Sequence, residues 1–226
     1  MTRVEAAALS KAYERRFALR EVTCAFLAGR VTALIGHNGA GKSTLLHLLA
    51  LRTRPTSGEV RIDGQLAESD AEFRAALGVV SHASFLYSAL TARENLTLVA
   101  QLYRRPATDL DALLARVGLE RAADRLVREF SRGMVQRLAI ARLLLQEAQL
   151  WLLDEPATGL DERGCRWLEG EILAARAAGR IVVVSSHHRD LLHATATDAL
   201  VLVRGRVVHA APTDPQSLDT LFNEHL

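Results

Sequence analysis

One stretch, Gly36-His37-Asn38-Gly39-Ala40-Gly41-Lys42-Ser43-Thr44, restricts the fold more than any other part of the chain. It follows an apolar run, Val31-Thr32-Ala33-Leu34-Ile35, that reads as a buried strand. It precedes Leu45-Leu46-His47-Leu48-Leu49, which reads as a helix. Strand, glycine-rich loop and helix in that order are the setting of a phosphate-binding loop. Glycines let backbone N–H groups face a phosphate chain, and the helix N-terminus adds a fixed partial positive charge. Lys42 is placed to reach the outer phosphates, and the Ser43 hydroxyl to hold Mg²⁺. The chain has only two lysines, Lys11 and Lys42, and uses arginine at nearly every other basic position. A compact ammonium is thus kept where a planar guanidinium would not fit among the glycines.

The remaining strands and helices extend this pattern. Between residues 4 and 30 weak alternation predicts two or three antiparallel strands, with Val22-Thr23-Cys24-Ala25-Phe26 the clearest. Tyr13 falls in a polar stretch read as a loop, where its ring either packs on the sheet or offers a face to a base. Arg54-Pro55-Thr56-Ser57-Gly58 reads as a loop, residues 59–62 as a short strand, 71–76 as a helix and 77–80 as a buried strand. Residues 85–146 then take helical periodicity. Thr91 with Glu94 makes a capping box, Asp109 starts a second helix and Ser131 a third. Gln149-Leu150-Trp151-Leu152-Leu153 and Ile181-Val182-Val183-Val184 are all-apolar strands of the kind found in parallel sheets covered on both faces. A hairpin is expected around residues 204–206, and the tail from Pro212 is either helical or loose.

Polar residues cluster just after the strands' C-terminal ends, the edge at which open α/β sheets bind ligands. There stand the phosphate loop, Ser81-His82, Asp154-Glu155 and Ser186-His187. Asp154 at a strand end suits Mg²⁺ opposite Ser43, and Glu155 suits the orientation or deprotonation of an attacking water. His187 suits a contact with the γ-phosphate. Composition excludes less. A formal net charge of +2 with interspersed acids and bases argues against a nucleic-acid partner. Cys24 and Cys165 lack metal or redox spacing and read as reduced buried thiols. No apolar run approaches the ~20 residues that span a bilayer. The expectation is a chain soluble by itself that acts at a membrane only through a partner.

With these motifs in this order, the chain resembles the ABC-type ATPases, the nucleotide-binding subunits of ATP-binding-cassette transporters, over essentially its whole length. Phe130-Ser131-Arg132-Gly133-Met134-Val135-Gln136-Arg137 resembles the family's signature, Thr158-Gly159-Leu160-Asp161 its D-loop, and Ser186-His187 its switch-histidine loop. The resemblance implies an α/β P-loop cassette of residues 1–226. It would have a parallel-sheet core, an N-terminal antiparallel β subdomain and an inserted helical subdomain at about 84–146. It implies ATP hydrolysis with Mg²⁺, catalytic roles for Lys42, Glu155 and His187, and a stack of adenine on Tyr13. Nucleotide contacts would run along Gly36, His37, Asn38, Gly39, Ala40, Gly41, Lys42, Ser43 and Thr44. Metal contacts would come from Ser43, Asp154 and His82.

Ser131, Arg132, Gly133 and Asp161 are implied to act on the ATP of a second subunit, a homodimer or paired ATPase subunit, so that two ATP lie between two chains. An integral-membrane transporter subunit is the implied partner, at the cytoplasmic face of the membrane. Two positions depart from the family pattern: Arg132 stands where Gly is usual, and His82 where Gln is usual. Residues 78–87, the Phe130–Met134 variant and the short length are most similar to the haem-exporter ATPase of cytochrome c maturation. Other ABC exporters, of drugs, lipids or polysaccharides, are the alternative. A soluble ABC ATPase of DNA repair or translation fits less well, because there are no heptads and no second phosphate loop. A small-molecule P-loop kinase leaves the signature and D-loop matches unexplained.

Overall fold

The computed structural model describes residues 1–14, 16–67, 71–81, 83–106 and 108–225. Strands β1 (Arg3–Tyr13) and β2 (Arg16–Leu27) form a hairpin, and β3 (Val31–Ile35) runs into helix α1 (Lys42–Leu49). Then come β4 (Ser57–Ile62), β5 (Gln65–Leu66), α2 (Ala71–Ala76) and β6 (Leu77–Val80). The helical stretch holds α3 (Ala92–Leu102), α4 (Leu110–Arg116) and α5 (Arg132–Gln146). The chain closes with β7 (Leu150–Asp154), α6 (Glu162–Ala177), β8 (Ile181–Ser185), α7 (Arg189–Thr195), β9 (Asp198–Val203), β10 (Arg206–Pro212) and α8 (Pro215–His225).

Two sheets result. One is antiparallel, in the order β2-β1-β4-β5; the other has the order β10-β9-β3-β8-β7-β6. In the second, β9, β3, β8, β7 and β6 run parallel and only β10 is antiparallel. Every residue of β3, β7 and β8 is buried, because both faces of this sheet are covered. On one face, Leu45, Leu48 and Leu49 of α1 pack with Val4, Leu9, Val22 and Phe26 of the antiparallel sheet. On the other, Leu168 and Ile172 of α6, Leu191 of α7 and Phe222 of α8 join Ile140 and Leu143 of α5. The helix carrying the phosphate loop is therefore clamped between two sheets.

Residues 92–141 carry a third core of their own, built on Leu96, Leu110, Leu114, Val117, Leu119 and Leu138. Its start is set by the expected capping box: Thr91 Oγ1 accepts from Glu94 N at 3.1 Å, and Glu94 Oε2 accepts from Thr91 N at 2.8 Å. Arg116 of α4 reaches Glu171 of α6 with two hydrogen bonds, 2.9 and 2.6 Å, tying this lobe to the body. Helix α5 straddles two cores: Leu138 and Ala141 pack in the lobe, Ile140 and Leu143 in the main core.

Two local expectations also change, and one left open is decided. Ser10 to Tyr13 is strand, not loop, because β1 is held between β2 and β4. Ser57 and Gly58 already belong to β4. The tail is a helix with Leu218, Leu221 and Phe222 buried.

Candidate functional site

The phosphate loop is shaped from behind by two strands. A Cβ on Gly36 would lie 2.4 Å from the Leu202 carbonyl oxygen of β9. One on Gly41 would lie 2.7 Å from the Ala18 carbonyl oxygen of β2, and Gly41 has φ +110°. Only glycine meets both demands. Lys42 opens α1 and folds back over the loop, its Nζ donating to the carbonyls of Gly36 at 2.5 Å and His37 at 3.3 Å. Burial pushes the Lys42 ammonium below its usual pKa, while the carboxylates of Glu155 and Asp154 pull it back up.

Those carboxylates come from the C-terminal end of β7, beside β8. Asp154 stands in register with Ser185, whose hydroxyl donates to Asp154 Oδ1 at 2.6 Å in a buried contact. Glu155 follows with φ +52°, a left-handed conformation uncommon for a residue with a side chain. Two bonds hold it there: its N–H donates to Ser185 O at 3.0 Å and its carbonyl accepts from Thr158 N at 3.1 Å. Glu155 Oε2 accepts from His187 N at 3.1 Å. Glu155 Oε1 lies 3.5 Å from His187 Nε2, an ion-pair distance, but is buried without a hydrogen-bond partner. Such an oxygen is costly to leave unpaired and can accept a hydrogen bond.

A pocket of about 500 Å³ joins these groups. Its walls include Tyr13, Asn38, Gly39, Gly41, Lys42, Ser43, Thr44, Asp154, Glu155, Thr158 and His187. Tyr13, at the end of β1 and 49% exposed, forms the outer wall with Ala18. Of the expected strand-end cluster, the phosphate loop, Asp154, Glu155 and His187 line this one pocket. Gly36 lies buried beneath the loop, and His37 and Ala40 border a neighbouring hollow with Arg204. His82 lies outside the described residues. Ser81 is buried and, with Ser84, Arg132, Gln136, Glu155 and Thr158, lines a separate cavity of about 60 Å³ behind the Glu155 side chain.

The signature residues stand apart from this pocket. Ser131 caps α5, its Oγ accepting from Met134 N at 3.3 Å. Gly133 touches the turn after Glu155 so closely that a Cβ there would lie 2.5 Å from Gly159 O. The stem of Arg132 lies over Gly159. Gln136 Nε2 donates to Pro156 O at 2.7 Å. Asp161 caps α6 in its own chain, accepting from Gly164 N at 2.8 Å and Arg137 Nη2 at 3.2 Å; the Gly164 bond is the main reason its pKa falls below the usual range. None of Ser131, Arg132, Gly133 and Asp161 lines the pocket around Lys42.

Thr158, Ala18 and Ser185 were not among the residues expected here. Ser185 carried a signal in the sequence, since it ends an all-apolar strand beside Ser186-His187. Ala18 carried none, because its place depends on how β2 crosses the loop.

A family model for ABC transporters matches residues 19–158. A lantibiotic transport ATP-binding protein of Streptococcus pyogenes is 32% identical over 219 residues, 96% of this chain and 95% of that protein. A cytochrome c biogenesis ATP-binding export protein of Pseudomonas putida is 36% identical over 187 residues, 82% of this chain and 89% of that protein. Among solved structures, an ATP-binding subunit of an ABC transporter superposes with TM-score 0.87 at 29% identity, covering 98% of this chain and 94% of that one. A dimeric bacterial ABC transporter cassette gives TM-score 0.83 at 26% identity, covering 92% and 98%. With a phosphate loop, a strand-end carboxylate pair and a capped signature helix on this fold, the chain belongs to the ABC transporter family, as an ATP-binding and ATP-hydrolysing cassette.

Proposed function

We propose that residues 1–226 form a single cassette that closes as a dimer around two ATP and drives an exporter through an integral-membrane subunit. The observation that carries this reading is the Glu155 carboxylate, which borders the pocket with one buried oxygen unpartnered. In this reading Lys42 and the N–H groups at the start of α1 hold the outer phosphates, and Tyr13 stacks on adenine. Glu155 orients the attacking water and accepts its proton, and His187 contacts the γ-phosphate.

The Ser43 hydroxyl and the Asp154 carboxylate line the same pocket and offer oxygen donors of the kind Mg²⁺ takes. Bound there, Mg²⁺ would neutralise charge on the outer phosphates. Ser131, Arg132, Gly133 and Asp161 serve the nucleotide of the second copy; their separation from the pocket of their own chain supports this.

The membrane partner is supported by exposed Phe85, Tyr87, Leu98 and Leu102 at the start of the helical lobe. Close by, a hollow of about 260 Å³ lined by Phe85, Tyr103, Arg142 and Gln146 keeps Arg142 Nε and Gln146 Oε1 buried and unpartnered. Among the described residues no helix is long and apolar enough to cross a membrane, so the place at the cytoplasmic face rests on that partner. Haem export is the cargo reading favoured by the likeness to cytochrome c biogenesis export proteins, with peptide export as the alternative raised by the lantibiotic relative.

The test is Glu155→Gln. It should bind ATP normally, hydrolyse it about 100- to 10,000-fold more slowly, the range for a general base, and sediment as a dimer with ATP. Wild-type turnover, or a monomer at saturating ATP, refutes the reading.

A further inference from the structure

We propose that Lys11 is a positioning residue for the nucleotide base: it holds the Tyr13 ring from the side away from the pocket and so sets the face on which the base rests. The inference depends on the reading that Tyr13 stacks on the base.

Tyr13 is the last residue of β1, at the tip of its hairpin, paired with Arg16 of β2 and half exposed. Lys11 stands two residues earlier on the same strand, across a register shift between Lys11 and Ala12. Its Nζ stands over the Tyr13 ring, 5.1 Å from the centroid. The same Nζ donates to the Arg54 carbonyl at 2.7 Å, which fixes where the charge sits. Tyr13 lines the nucleotide pocket and Lys11 does not, so the ammonium covers the ring face turned away from the nucleotide. A cation over one face is attracted to the ring's electron density and draws it to that side. The opposite face then suits an electron-rich purine, and the ring plane is fixed before the nucleotide arrives, so less ordering is left for binding to supply.

Lys11 is not needed to hold the loop at residues 54–56. Thr56 N donates to Ser10 O at 2.8 Å, and Ala12 N donates to Thr56 Oγ1 at 3.0 Å. Removing the charge therefore leaves β1 pinned.

The experiment compares binding of ATP and of inorganic triphosphate, which has no base, by titration calorimetry. Lys11→Met should weaken ATP about two- to fivefold, the range for an exposed cation–π contact, and leave triphosphate affinity unchanged. Lys11→Arg should restore ATP affinity, and Lys11→Met should add nothing in a Tyr13→Ala background. Equal losses for ATP and triphosphate would mean that Lys11 acts through the 54–56 loop on the phosphate site, which overturns the proposal. So would unchanged ATP affinity in Lys11→Met. A Tyr13→Ala variant that binds ATP as wild type does would instead remove the stacking role itself, a separate failure.

Discussion

Replacing Lys42 by methionine separates the two tasks of this side chain. In the free protein its ammonium donates to the carbonyls of Gly36 and His37. Removing it leaves the buried Gly36 carbonyl short of a donor, a cost of about 1–3 kcal/mol. Against this, the variant no longer carries a half-buried charge, whose desolvation is the main reason the Lys42 pKa is lowered. A methionine of similar reach also keeps the apolar contacts of the stem. The two effects offset, so global stability should change by about 1 kcal/mol or less.

Nucleotide binding has no such offset. Charge-assisted hydrogen bonds to the outer phosphates contribute about 1.5–3 kcal/mol, so ATP affinity should fall roughly 10- to 150-fold. Urea unfolding and titration with ATP, run on the same preparations, read the two quantities. If the unfolding free energy falls as far as the binding free energy, Lys42 acts as a scaffold for the loop and the phosphate role is wrong. Arginine should not rescue the site, because Ala18 and Leu19 press on Gly41 from behind and leave the loop no room to widen. Normal turnover in Lys42→Arg would contradict that steric argument.

Three further outcomes are expected. Ser131→Ala removes the α5 cap and should cost about 1 kcal/mol of stability; ATP affinity should be kept while ATP-dependent dimerisation in the centrifuge is lost. Thr91→Ala should destabilise by about 1 kcal/mol through the α3 capping box, seen as a lower urea midpoint with ATP affinity intact. Asp63, Glu94, Asp161 and Asp214 are all held below the usual carboxylate pKa, Asp63 first by the Thr2 hydroxyl and the others by backbone N–H groups of Thr91, Gly164 and Ser217. A lowered folded-state pKa contributes stability that is present above the unfolded value of about 4 and lost as pH falls through the folded one. The urea midpoint should therefore hold from neutral pH to about 5 and drop below about 4; a drop complete above about pH 5 would point to histidines instead.

The core of the site was legible because its signals are local. A phosphate loop between an apolar strand and a helix, and Asp154-Glu155 after four apolar residues, state their own structural setting. The capping box at Thr91 was equally local and is present bond for bond. Elements set by distant partners were harder to read. Ser10 to Tyr13 looks polar and loop-like because its strand is made by pairing with β2 and β4, through irregular registers on both sides. The described part of the tail buries Leu218, Leu221 and Phe222, and its helix is secured by packing: Phe222 stacks on His193 of α7 at 5.7 Å between ring centroids. The contact of Ala18 with Gly41 arises only once both sheets are assembled.

The contact between Gly133 and Gly159 has a mechanical consequence. Two backbones meet there with no side chain between them, so neither can move toward the other without a clash. The first turn of the signature helix and the turn that follows Glu155 therefore form one stiff lever. Gln136 is a second rivet between them, through Pro156. A displacement imposed at Ser131 would be passed to the turn behind Glu155 through these two contacts. A side chain at Gly133 would act as a spacer against Gly159, shifting the far end of the lever behind Glu155.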